Sequence, residues 1–141
     1  DMPPELPDHA EAGTQNVCGI CGLAAGLRFV QQQTPQRLLA HEVRQRKLLT
    51  SLLTDVPGVR LFTGEPQSGT LSLCAAQKDC ETLAARLAVK GVCVRAGLHC
   101  APLAHESAGT LETGTVRFSL SAFNTEQEIF RTADLLKEIL A

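Results

Sequence analysis

The chain has 141 residues, of which 44% are hydrophobic and 20% charged, and a formal net charge of −2. A chain of about 150 residues buries roughly 70% of its unfolded surface, so one domain with a genuine core is expected, and the composition is ordinary for a globular protein. The charge leaves no basic footprint for nucleic acid, and no apolar run nears the roughly 18 residues a membrane-spanning helix needs.

Residues 1–13 are proline-rich, acidic and aperiodic, and read as a linker entering the domain. Thr14-Gln15-Asn16 offers helix N-cap chemistry. Ile20, Leu23, Leu27 and Val30 then follow at helical spacing. Gly19, Gly22 and Gly26 interrupt them, each at a cost of about 1 kcal/mol against alanine, which close approach by another element would explain. Thr34-Pro35 opens a second helix, Thr34 as cap and Pro35 in the first turn. Its expected buried stripe is Leu38, Leu39, Val43, Leu49, Leu52, Leu53 and Val56. His41, Glu42, Arg44, Arg46 and Lys47 are assigned to the wet side, and Pro57-Gly58 ends the helix.

Val59 to Thr63 and Thr70 to Cys74 read as two strands of a hairpin. Asp79 caps a helix through Val89, with Leu83 and Leu87 inward and Gly91 as the stop. The run Val92–Val94 predicts a buried strand over 92–95, followed by a long loop over 97–114. Thr115 to Leu120 alternates, with Val116, Phe118 and Leu120 on one face and Arg117 and Ser119 on the other. A capping box, Thr125 to Glu128, opens the last helix, which carries Ile129, Ala133, Leu136 and Leu140 inward. The whole predicts an α+β fold: a two-layer sandwich in which helices cover one face of a small, mostly antiparallel sheet.

Cysteines occupy positions 18, 21, 74, 80, 93 and 100. A chain able to bury a core has no need of a disulfide framework, so free thiols in a reducing cytoplasm are expected. Cys18-x-x-Cys21 has zinc-ligand spacing, but a structural site wants four ligands and no second pair follows; no metal is assigned. His41 and His105 read as solvated side chains. The chemistry concentrates elsewhere, in Arg95, His99 and Cys100, within six positions of a loop that Gly97 opens and Pro102 stiffens. A thiolate is the nucleophilic form of cysteine, and Arg95 and His99 are the nearby groups that could favour it.

The run Arg95-Ala96-Gly97-Leu98-His99-Cys100-Ala101-Pro102 resembles the catalytic-cysteine loop of cysteine desulfurases, pyridoxal phosphate (PLP) proteins of the class V aminotransferase group. Two further stretches agree in order and spacing. Glu11-Ala12-Gly13-Thr14-Gln15-Asn16 resembles the segment after the family's large PLP-binding domain, and Gly114 to Ser119 with Phe123-Asn124-Thr125 resembles the strand and helix start that complete the C-terminal domain. The resemblance implies a C-terminal small domain of a fold-type I PLP enzyme over 14–141, with 1–13 as the linker from a missing N-terminal domain.

It also implies roles. Cys100 takes sulfur from PLP-bound L-cysteine and becomes a persulfide, L-alanine leaves, and the sulfur passes to an acceptor protein for iron–sulfur cluster or thio-cofactor synthesis. Arg117 grips the substrate carboxylate, with Arg95 beside it; His99 assists the thiol; Gly13 and Thr14 reach the cofactor phosphate of the partner subunit in a homodimer. In the family, PLP is anchored on a lysine that follows a histidine. None of Lys47, Lys78, Lys90 and Lys137 does so, which places the anchoring lysine before residue 1 and leaves the isolated chain inactive. Selenocysteine lyase or another class V enzyme is the near alternative; a dimerisation or interaction module, or a metal-binding domain, is the alternative of another class.

Overall fold

The computed structural model describes residues 3–11 and 13–141; Asp1, Met2 and Ala12, which fall in the expected linker and in the Glu11-to-Asn16 stretch, lie outside the described residues. The chain divides into two units, Asp1–Pro35 and Gln36–Ala141.

In the first unit a 3-10 turn, Asp8–Ala10, precedes helix α1, Val17–Gln33. The α1 cap is Asn16, whose side-chain oxygen accepts from the Gly19 amide at 2.9 Å. Thr14 is therefore not the cap. None of the side chains of α1 is buried, and Val17, Ile20, Leu23 and Leu27 are all exposed.

The second unit carries α2 (Pro35–Leu53, which begins one residue earlier), β1 (Val59–Phe62), β2 (Thr70–Ala75), α3 (Cys80–Val89), β3 (Arg95–Gly97), α4 (Pro102–Ala108), β4 (Thr115–Ser119) and α5 (Glu126–Leu140). The strands form one antiparallel sheet in the order β1-β2-β4-β3. Leu71 pairs with Phe118 and Leu73 with Val116, so these four residues share a face. They are buried together with Leu49 and Leu53 of α2, Leu83 and Leu87 of α3, and Ile129, Ala133 and Leu136 of α5. This is the expected α+β sandwich. Asp79 caps α3 by accepting from the Thr82 amide, and Thr125 and Glu128 make the capping box of α5 in full.

Three expectations fail for local reasons. The strand forecast over 92–95 forms instead at Arg95–Gly97. The Gly91 amide donates to Ala88 O and the Val92 amide to Leu87 O, a Schellman close of α3 that claims the start of the apolar run. The loop 97–114 contains α4, which has Pro102 in its first turn and Gly109 in left-handed conformation as its C-cap. On α2, Leu39 is exposed while Gln45 and Arg46 are buried. At 100° per residue Leu39 stands about 70° off the mean direction of Leu38, Leu49 and Leu53, and Gln45 stands nearer to it. Arg46 thus leaves the wet side: it donates to Gln67 Oε1 at 2.9 Å and pairs with Glu65 at 3.3 Å.

Candidate active site

The face of the sheet opposite the core is polar, and one row crosses all four strands: Phe62, Ser72, Arg117 and Arg95 are successive register partners. Like charges directly opposite each other on antiparallel strands repel, so the Arg95–Arg117 pair carries a cost that an anion between them would offset. Helix α4 lies on this side, its last turn tied to β1 by Arg60, which donates to Ala108 O at 3.2 Å. Between α4 and the sheet an open cleft of about 280 Å³ is lined by residues that include Phe62, Ser72, His99, His105, Thr115 and Arg117.

The turn from β3 into α4 is built on a close backbone approach. Gly97 has φ +101°, and a Cβ on Gly114 would stand 2.9 Å from Gly97 Cα and 3.1 Å from Cys80 Sγ. Gly97 supplies the left-handed turn, and glycine at 114 leaves the room for the start of β4 to press against it. His99 and Cys100 then adopt φ of +53° and +59°. Two consecutive non-glycine residues in that region cost on the order of 1–3 kcal/mol each and persist only where the surroundings hold them. The hold is visible: Ala101 N donates to Leu98 O at 2.9 Å, and His99 Nε2 shares a 3.0 Å hydrogen bond with Thr115 Oγ1. The outcome is an exposed Cys100 whose Sγ lies 3.7 Å from Arg95 Nη2.

Burial first, and then the charges of Arg117, His105 and Arg95, push the His99 imidazole below its ordinary range, so its ring is neutral at neutral pH. It therefore offers a lone pair rather than the positive charge that the sequence allowed it. Two buried nitrogens around the cleft, His99 Nδ1 and Arg117 Nε, have no partner within the protein. Unpaired buried donors and acceptors are costly, so the protein around the cleft leaves two polar atoms unsatisfied. Arg95, His99, Cys100 and Arg117 are thus brought together within one unit. Gly13, with φ +86°, and exposed Thr14 belong to the other.

The matching family model is aminotransferase class V, over residues 4–131. The chain belongs to the aminotransferase class-V family. It is 39% identical over 124 residues, 87% of its length, to a probable cysteine desulfurase of Mycolicibacterium paratuberculosis, and 33% identical over 139 residues, 96% of its length, to one from Methanothermobacter thermautotrophicus. It covers 18% and 34% of those proteins. Among solved structures, the apo cysteine desulfurase of Thermococcus onnurineus NA1 matches with TM-score 0.82 and 28% identity, over 95% of this chain and 34% of that one. The cysteine desulfurase CsdA of Escherichia coli matches with TM-score 0.80 and 28% identity, over 96% of this chain and 34% of that one. The chain thus spans 18–34% of the length of these class-V relatives.

Two histidines assigned to solvent are engaged in this class-V domain. His41 Nε2 hydrogen-bonds Asn124 O at 3.1 Å, joining α2 to the turn before α5. His105 is 6% exposed and reaches Thr110 Oγ1 at 2.8 Å, with its ring centroid 5.7 Å from that of His99. The cue for His105 was Pro102 and Gly109 bracketing a short helix. Ser72 and Phe62, also missed, reach the cleft only through strand register. All six cysteines are free, and among the described residues no group of three or more His, Cys, Asp or Glu side chains could hold a metal ion.

Proposed function

We propose that residues 14–141 are the C-terminal domain of a PLP-dependent, cytoplasmic cysteine desulfurase, with 1–13 entering from the large domain. The observation that carries this reading is Cys100 set out on two left-handed residues, 3.7 Å from Arg95, beside a cleft with an unpartnered Arg117 Nε. The similarity to proteins named cysteine desulfurase supports it.

The residues present fit the substrate end of a cysteine–cofactor site. Two arginines in register suit a carboxylate, which a guanidinium can grip through two parallel N–H bonds. In this reading the lysine that would anchor the cofactor lies in the large domain; the cleft lining contains none. When bound, PLP supplies the electron sink that labilises the substrate C–S bond. Cys100 Sγ attacks the substrate sulfur; an S–S bond forms as the C–S bond breaks, the electron pair goes to the carbon that becomes the alanine methyl, and Cys100 is left as a persulfide. Arg95 places positive charge beside the sulfur that must attack as an anion. Neutral His99 offers an acceptor for the departing thiol proton. The persulfide sulfur then passes to an acceptor protein. Gly13 and Thr14 reach the cofactor phosphate of the partner subunit in a homodimer; with Asn16 as the cap of α1, the Thr14 hydroxyl is not needed there.

In the intact protein, Cys100→Ser should keep the cofactor absorbance and lose most release of alanine and sulfide from cysteine. Near-normal release by that variant would overturn the reading.

A further inference from the structure

His105 has no part in the chemistry above, yet it is the buried charged-type side chain nearest that chemistry. It sits on α4, four residues past Ala101, with 6% of its surface exposed. Its Nδ1 lies 2.8 Å from Thr110 Oγ1; the Thr110 hydroxyl points back to the His105 carbonyl at 3.5 Å, and the Thr110 amide donates to the same carbonyl at 2.8 Å. The 2.8 Å contact between the ring nitrogen and the hydroxyl fixes the ring orientation, whichever of the two carries the shared proton. Thr110 is itself 3% exposed, so this tether is shielded from solvent. The ring so fixed leans on His99 at 5.7 Å between centroids and 48° between planes. From the other side Thr115, 4% exposed on β4, holds His99 through its 3.0 Å bond.

His99 is thus gripped between α4 and the sheet, and it is the first of the two residues whose left-handed backbone presents Cys100. We propose that His105, tethered by Thr110, is a positioning residue that clamps the His99 ring against Thr115 and so holds the Cys100 thiol beside Arg95. The reasoning is one of constraint. A side-chain bond to Thr115 alone leaves the His99 ring free to swing about that contact, and two strained residues relax once one anchor is loosened. A second, orthogonal contact removes that freedom. His105 does not touch the reacting atoms; it acts through His99. This rests on Cys100 being the nucleophile of the site, but the test does not require desulfurase turnover.

The experiment is residue-resolved alkylation of the intact protein by iodoacetamide at fixed pH, read by mass spectrometry, with the exposed Cys93 and the part-buried Cys74 and Cys80 as internal references. In His105→Leu, the Cys100 rate relative to Cys93 should change by about threefold or more, because thiol reactivity follows its charged surroundings, while Cys74 and Cys80 stay protected. Thr110→Val, which removes the tether without changing shape, should move Cys100 the same way, and Thr110→Ser should restore the parent rate. Where cysteine turnover is measurable, kcat should fall about tenfold with KM little changed, as expected when a reacting group is misplaced. An unchanged Cys100 rate in His105→Leu and Thr110→Val would overturn the proposal, as would a uniform rise at Cys74 and Cys80, which marks general loosening. Should His105→Leu fail to fold, the Thr110→Val and Thr110→Ser pair decides alone. Absence of alanine release from the parent protein would count against the desulfurase reading and leave the alkylation result standing.

Discussion

At the scale of single residues the site is a small set of charges arranged around one sulfur. Arg117 is half-buried with its Nε unpartnered, and its cross-strand neighbour is another arginine. A charged hydrogen bond is worth about 1.5–3 kcal/mol, so Arg117→Ala should weaken engagement of cysteine by roughly ten- to a hundredfold in kcat/KM. Unchanged kinetics in that variant would remove the carboxylate role. His99 makes a prediction about pH. Its folded-state pKa lies below the ordinary histidine value of 6.5, first because it is partly buried. The unfolded chain therefore binds the proton more readily than the folded one as pH falls below that value. The contribution of neutral His99 to stability is complete above pH 6.5 and is lost as pH drops through the window beneath it. Urea unfolding between pH 7.5 and 5 should show this loss, and His99→Gln should flatten the slope; an equally steep fall in the variant would assign it to another group.

At the scale of elements, what matters is how a nominal loop is held. The segment between β3 and β4 turns on the contact of Gly97 with Gly114 and is braced by α4, which Arg60 ties to β1. Gly114 has φ +61° and no room for a side chain against Gly97. A left-handed alanine costs about 1–2 kcal/mol before any clash is counted, so Gly114→Ala should destabilise the domain by at least that amount, seen as a lower urea midpoint. A midpoint equal to the parent's would show that the loop gives way there freely. The elements that were legible beforehand share a property. Asp79 before Leu83 and Leu87, and Thr125-to-Glu128 before Ile129, Ala133 and Leu136, combine a local cap with a periodic apolar face, and both helices formed as read. The strand at 92–95 had only an apolar run in its favour. The same residues served a helix cap equally well, and Val92 was taken by the close of α3.

At the scale of the whole molecule, the second unit has a closed core of its own, in which Leu49, Leu53, Leu71, Leu73, Leu83, Leu87 and Leu136 are fully buried. Caps, strand alternation and core faces agree with one another there, the mark of a foldable unit. The 141-residue chain alone is therefore expected to fold cooperatively in urea yet release no sulfide from cysteine and PLP beyond the free-cofactor background; sustained turnover would place the anchoring lysine within it. The sequence by itself determined the α+β layering, the helix caps and the identity of the motif-bearing loop, because periodicity, capping and turn chemistry act within a few residues. It also turned Arg117 away from the core, since alternation along a strand needs no partner to be read. The β1–β2 hairpin was legible in the chain, but only the tertiary structure decided that β4 lies between β2 and β3, and with that the placing of Arg95 opposite Arg117 and of Phe62 and Ser72 at the cleft. Register couples residues far apart in the chain, and no local pattern encodes it. The burial of His105 was decided in the same way. Seven residues of helix gain their meaning from the sheet they lie on, and the packing against His99 and Thr110 turned a polar side chain inward.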